Sequence, residues 1–367
     1  MTTAGAKTDG RKTVLVTGAG GYIGTVLVPL LLDAGWRVRA VDRFFFGREL
    51  LPAGRDGLEV RRDDTRCLAA DAFRGVAAVV DLVGLSNDPL GERFDQATWQ
   101  INHASRVRTA RLARDAGAER YVLPSSCSTY GSRPGDTWLT EDAAPAPLTT
   151  YARANLATET DIAALAGGGF CPVVLRLATV FGVSPRMRFD LAINGMVYGA
   201  WADRRLPVMR DGGQWRPMIH VRDAAGAILF ALTAEAAAVS GEVLNAGGDA
   251  HNHQVREMAR IVAEIMPFEV ALDWYGAPDE RSYRVSFDKI ARLGYRPALD
   301  VAAGAREVLD ALREGRVARS PRTMTLEWYE AIVAQPEAHR DLAMYGGLLD
   351  IDPAAPDAAA PIPLETR

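Results

Sequence analysis

The sequence predicts an α/β fold built on a doubly wound parallel sheet, with a smaller C-terminal substrate lobe. Three observations predict it. Short Val/Leu-rich runs alternate with helical patterns from Thr13 onward, the first run ends in a glycine-rich turn that opens a helix, and the alternation breaks after Phe181. Strands that read as continuous apolar runs are covered on both faces, as in a parallel sheet between two helix layers.

The elements follow in order. TVLVTG reads as the first strand and YIGTVLVPLLLDAG as the helix after it; WRVRAVD, LEVRRD and AAVVDLVG are further strands. A helix is expected from about Thr98 to Ala116, then a strand at RYVLPSS, a helix from Tyr151 to about Ala166, and a last run CPVVLRLATVFG. This bounds a dinucleotide-binding unit at 13–181, preceded by a flexible N-terminus at 1–12. Segments 182–215 and 267–300 are richer in Arg, Pro, Gly and aromatics, while VRDAAGAILFALTAEA and HQVREMARIVAEIM between them look helical. The substrate lobe is therefore placed at 182–345, with segments of about 216–266 interleaved to complete the main unit. The Pro/Ala-rich end, 346–367, has little to bury and is expected to be disordered.

Composition narrows the function. A chain of 367 residues with 48% hydrophobic content can bury a large core, and a net charge of −4 leaves no electrostatic footprint for nucleic acid. No apolar run is long enough to span a bilayer, so no membrane partner is expected. The polar start MTTAGAKTDGRK lacks the apolar centre of a signal peptide, so a cytoplasmic location is expected. Cys67, Cys127 and Cys171 have neither metal-ligand nor disulfide spacing, and no metal is expected.

The first strand runs into T17-G18-A19-G20-G21-Y22-I23-G24. Gly18, Gly21 and Gly24 allow a tight turn, close approach of the backbone to a pyrophosphate, and close packing of helix on strand, with Tyr22 and Ile23 between them. The second strand ends in Asp42, a carboxylate placed to accept from both hydroxyls of an adenosine ribose and to repel a 2′-phosphate, so NAD is the expected cofactor. Arg43 beside it is a potential attractor of that phosphate. Asp63, after the third strand, is placed to reach the adenine edge.

With the glycine loop, the serine-rich strand end S125-S126-C127-S128-T129-Y130-G131, and Tyr151 opening the next helix, residues 13 to 330 resemble the extended short-chain dehydrogenase/reductase family, whose core is a Rossmann fold. The nearest likeness is to nucleotide-sugar epimerases and dehydratases, UDP-galactose 4-epimerase among them. The resemblance implies that Tyr151 exchanges a proton with a sugar hydroxyl while hydride passes to or from the nicotinamide, and that Ser126 hydrogen-bonds the reacting oxygen. It implies Ser128, Asn194, Arg216 and Arg281 as substrate contacts, the two arginines on a nucleotide diphosphate. Sugar dehydratases carry Asp and Glu where this chain has Cys127 and Ser128, so dehydration is disfavoured. The family also pairs the helices near 98–116 and 151–166 across a two-fold axis, and a homodimer is expected.

The departure lies four residues after Tyr151. The family lysine there holds the nicotinamide ribose and lowers the tyrosine pKa by its charge; here it is Asn155, whose amide can bond a ribose but carries no charge. Lys7, Lys12 and Lys289 are the only lysines, and Arg153 points to another helix face, so no replacement cation is evident. Asn155→Lys is accordingly expected to restore the charge and raise the rate. His220 reads as a structural residue, and His251 and His253 as residues without acidic neighbours. The reading is an NAD-dependent nucleotide-sugar epimerase or ketoreductase; the alternative is a silent or rearranged homologue binding the same ligands.

Overall fold

The computed structural model describes residues 10–133, 137–209, 211–276 and 282–352. Its centre is a seven-stranded sheet of β1 (Thr13–Thr17), β2 (Arg37–Asp42), β3 (Leu58–Arg62), β4 (Val76–Asp81), β5 (Arg120–Ser126), β6 (Cys171–Leu177) and β7 (Val243–Ala246). The spatial order is β7-β6-β5-β4-β1-β2-β3, and every pairing is parallel. Strand order reverses between β1 and β4, which opens a crevice at the carboxyl ends of the strands, where α/β sheets bind ligands.

Alternation along β1 sends Val14 and Val16 into one core and Leu15 into the other. The first core is closed by helices Gly24–Asp33 and Val221–Thr233 through Leu27, Val28, Leu31, Ala224 and Ile228. The second is closed by helices Arg106–Asp115 and Thr150–Ala163 through Ala110, Ala113 and Ile162. Burying one such leucine stabilises the fold by about 1.5–3 kcal/mol.

Three expectations need correction. The run CPVVLRLATVFG is not one strand. It leaves the main sheet after Leu177, and Thr179–Phe181 pairs instead with Trp215–His220 in a three-stranded sheet with Asn252–Gln254. The helix expected from Thr98 passes through a π-helical stretch, Trp99–Ser105, before Arg106. There the Asn102 side chain bonds both the N–H and the C=O of Leu85, and Thr158 donates to the Asn102 carbonyl, fixing the widened turn. Finally, the C-terminal segment is not without burial after Gly346: Leu348 and Leu349 join Trp328, Tyr329 and Ile332 against Phe45, Leu85, Leu90 and Ile101. Residues 1–9 and 353–367 lie outside the described residues. No described helix is long and apolar enough to cross a membrane.

Candidate active site

A cavity of about 410 Å³ occupies the switch-point crevice. Its walls include Gly18, Gly21, Tyr22, Ile23, Gly24, Asp42 and Asp63 at one end and Ser126, Ser128, Tyr151 and Arg216 at the other. Residues spread over nearly two hundred positions of sequence thus share one space.

The glycine loop is shaped by what a side chain would strike. Gly18 has φ +64°, and a Cβ there would lie 2.7 Å from the Leu82 and Val83 backbone; at Gly24 it would lie 2.5 Å from the Gly18 and Ala19 carbonyls. The helix that follows has no side-chain cap and no acid in its first turn, leaving a positive end beside the cavity. Asp42 accepts from the N–H of Gly20 (3.0 Å) and of Phe44 (2.6 Å), which aims its carboxylate into the site. Burial pushes its pKa up, while these two N–H groups hold it down. Arg43 is committed elsewhere: its guanidinium pairs with Asp64 at 2.9 Å and donates to the carbonyls of Leu342, Gly347 and Leu348.

Asp63 lines the cavity, but its carboxylate accepts from Arg61 Nε (3.0 Å), the Tyr345 hydroxyl (2.8 Å) and the Asp64 N–H (2.9 Å). Any adenine contact competes with those protein donors. Asn194 is a clearer correction. It does not line the cavity; fully buried, its Oδ1 accepts from Gly182 N (2.9 Å), and its Nδ2 donates to the Tyr22 hydroxyl (3.1 Å) and the Arg188 carbonyl (2.8 Å). It ties the glycine loop to the chain after the sheet. Arg281 lies outside the described residues.

At the other end, Thr149 caps the helix Thr150–Ala163 by accepting from Ala152 N, so Tyr151 sits in its first turn. Ser126 Oγ accepts from Ser128 N at 3.1 Å, which leaves its own proton to donate. Ser128 Oγ is buried with no protein partner among the described residues. Arg216 lies against the Tyr283 ring, 5.7 Å from its centroid. Burial, the largest influence, pushes the Tyr151 pKa up; the charge of Arg106 opposes that, Asp88 adds to it, and the Asn155 and Ser126 side chains lower it. Cys127 is inert packing: 1% exposed, its thiol is pushed up by burial and donates to the Arg176 carbonyl.

Two arginines of the site had no assignment from sequence. Arg106 lines the cavity and donates from Nη1 to Asn155 Oδ1 at 3.1 Å and from Nε to the Val83 carbonyl at 2.7 Å. Asn155, 1% exposed, stands behind it and does not line the cavity. Arg186 is 4% exposed and lies over the Phe46 ring at 3.7 Å; its Nη2 donates to Thr325 Oγ1, while Nε and Nη1 are buried without partners among the described residues. Burial and the neighbouring Arg188 push Arg186 down to about 9. The only sequence signal was the run S184-P185-R186-M187-R188 in a segment already noted as arginine-rich.

His220 is structural, as expected: Nε2 contacts Glu307 at 2.7 Å, and Nδ1 accepts from Arg222 N to cap the helix Val221–Thr233. Glu257 lies 3.1 Å from His253 Nδ1, an acidic neighbour that the sequence reading did not expect. Among the described residues no cluster of His, Cys, Asp or Glu is arranged for a metal.

Residues 14–247 match the NAD dependent epimerase/dehydratase family. A UDP-glucose 4-epimerase of Corynebacterium glutamicum is 29% identical over 286 residues, 72% of this chain and 85% of its own. One from Azospirillum brasilense is 29% identical over 269 residues, 69% of this chain and 77% of its own. Among solved structures, MoeE5 in complex with UDP-glucose and NAD is similar with a TM-score of 0.73 and 27% identity, over 83% of this chain and 100% of the other.

Proposed function

From the chain's membership of the NAD dependent epimerase/dehydratase family, we propose that it is a nucleotide-sugar epimerase that inverts a sugar carbon by removing and returning hydride. The observation that carries this reading is the single cavity joining the glycine loop and Asp42 to Ser126, Tyr151 and Arg216. The residues present fit the cofactor. Gly18 and Gly24 clear a cradle that a Cβ would fill, the buried Arg186 has Nε and Nη1 without partners among the described residues, and Asp42 faces the cavity. NAD, when bound, supplies the hydride acceptor and donor.

In this reading Asp42 accepts from the adenosine ribose, and Arg186 meets the pyrophosphate beside the helix end. Tyr151 takes the proton of the reacting sugar hydroxyl and later returns it, while the Ser126 hydroxyl donates to the same oxygen. The unpartnered Ser128 hydroxyl and Arg216 hold the sugar and the diphosphate. Thr325, Tyr329 and Leu349 wall the cavity at the Asp42 end. A cofactor held there across turnovers suits a reaction that restores its own oxidation state, which favours epimerisation over a ketoreductase that must exchange NADH. A homodimer through the helices near 98–116 and 151–166 belongs to the proposal.

The test is to incubate the NAD-loaded protein with a panel of UDP-sugars and follow product stereochemistry by NMR. Interconversion of epimers without accumulating NADH supports the proposal. A free keto sugar formed in step with NADH would replace it with a dehydrogenase, and no turnover of any UDP-sugar would sink it.

Two further results are expected. Calorimetry gives tighter binding of NAD(H) than NADP(H), because Asp42 repels a 2′-phosphate and Arg43 is held by Asp64 and three carbonyls; a preference for NADP(H) would remove Asp42 from this role. Arg216→Ala raises KM for the nucleotide sugar about 10- to 150-fold, the loss of a charge-assisted contact of ~1.5–3 kcal/mol, with NAD affinity unchanged. An unchanged KM would place the diphosphate elsewhere.

A further inference from the structure

The proposed reaction, on which this inference rests, requires the Tyr151 phenol to give up its proton in a buried place. The family charge for that task would sit at position 155, which is an asparagine. Among the described residues Lys12 pairs with Glu119 and Lys289 with Glu242, so neither lysine serves.

The chain places an arginine at the site from another helix. The π-helical stretch Trp99–Ser105 ends directly before Arg106, so the widened turn sets the angle at which the Arg106 side chain leaves its helix. Gly84, after β4, leaves room for it: a Cβ at Gly84 would lie 3.1 Å from Arg106 Nη2. The guanidinium therefore reaches the cavity wall with Nε on the Val83 carbonyl and Nη1 on Asn155 Oδ1. An asparagine presents the acceptor that this arrangement needs, and a lysine at 155 would set two buried cations against each other.

We propose that Arg106 supplies the positive charge beside Tyr151 that a lysine supplies elsewhere in the family, and that Asn155 is the positioning residue that holds its guanidinium. The other charged groups around the pair are accounted for. Asp81 lies 4.0 Å from Arg106 Nε and accepts from the Thr17 and Tyr121 hydroxyls. Arg188, which also lines the cavity, is paired with Asp190 and donates to the Ser86 hydroxyl. Asp88 accepts from Thr149, Asp95 from the Thr150 hydroxyl, and Glu92 from the Thr150 N–H. Glu159, one turn after Asn155 on the same helix, is paired with Arg176, and His103 with Asp161.

The test reads the ionisation of Tyr151 in two ways: the pH–rate profile of the NAD-loaded enzyme, and the ultraviolet phenolate titration of the cofactor-free protein, taken as the difference from Tyr151→Phe. Arg106→Met is expected to move both midpoints up by about one pH unit or more, since an opposite charge near a titrating group shifts its pKa by ~1–3 units. Arg106→Lys should keep most of the wild-type midpoint. Asn155→Lys placed in the Arg106→Met background should bring both midpoints back down, which loss of a purely structural contact would not predict. Should Arg106→Met fail to fold, Arg106→Gln and the Arg106→Met/Asn155→Lys double variant carry the same comparison. Midpoints that do not move on loss of Arg106, with turnover still dependent on Tyr151, overturn this inference and leave the proposed reaction standing. Turnover that survives Tyr151→Phe overturns the proposed reaction instead.

Discussion

Tyr151→Phe is expected to lower epimerase turnover by about 10²–10⁴-fold, the range for loss of a positioned acid–base group, while NAD affinity stays near wild type. The phenol is a titratable group on the cavity wall that also carries Ser126, and nothing in the substitution disturbs the Thr149 cap or the packing of its helix. The pH dependence of the wild type should carry the same signature. Because burial raises the Tyr151 pKa above its ordinary value, the phenol is protonated at neutral pH and the rate should climb on the alkaline side until the phenolate is populated. A flat profile from neutral to alkaline pH would take the proton transfer away from Tyr151.

Arg186→Met should have opposite effects on binding and on stability. NAD affinity, measured by calorimetry, should fall about 10- to 150-fold, matching loss of ~1.5–3 kcal/mol of charge-assisted hydrogen bonding to a pyrophosphate. The cofactor-free protein should melt at a higher temperature than wild type, because the variant removes a buried guanidinium whose Nε and Nη1 have no partner among the described residues, a gain that outweighs the lost contact of that guanidinium with the Phe46 ring. Linkage gives the sign: Arg186 is pushed below its unfolded value to about 9, so the fold disfavours the cation at neutral pH until an anion arrives. The gain in Tm on adding NAD should therefore be larger in wild type than in the variant. Equal NAD affinity in both proteins would show that Arg186 does not face the phosphates.

Asn155 shows how far local reading reaches. From the sequence it is a missing charge, and adding a lysine looks like a repair. In the folded chain Arg106 Nη1 already occupies Asn155 Oδ1 at 3.1 Å, so Asn155→Lys alone should lower stability by roughly 3–5 kcal/mol, the range for an uncompensated buried charge. The expectation reverses because helix spacing relates residue 155 to 151, but only packing relates it to 106. Asn194 fails for a similar reason: its motif context suggested substrate, yet the crossing of the glycine loop and the chain after β6 uses up its amide.

The sequence by itself determined the strand–glycine loop–helix unit and Asp42 at the end of β2, while Ser126, Ser128 and Tyr151 entered only as what the family resemblance implies. The first two follow from short-range rules: alternation that buries both faces of a strand, and a turn that only glycine permits. Only the tertiary structure decided which arginines matter and which are spent. An isolated arginine carries no local pattern, and its value at a site is set by what surrounds the guanidinium: three carbonyls from the C-terminal segment for Arg43, an asparagine from a neighbouring helix for Arg106, and, among the described residues, no partner at Nε or Nη1 for Arg186. Charge in a low-dielectric cavity depends on distance to partners, and distance across a fold is fixed by packing rather than by spacing along the chain.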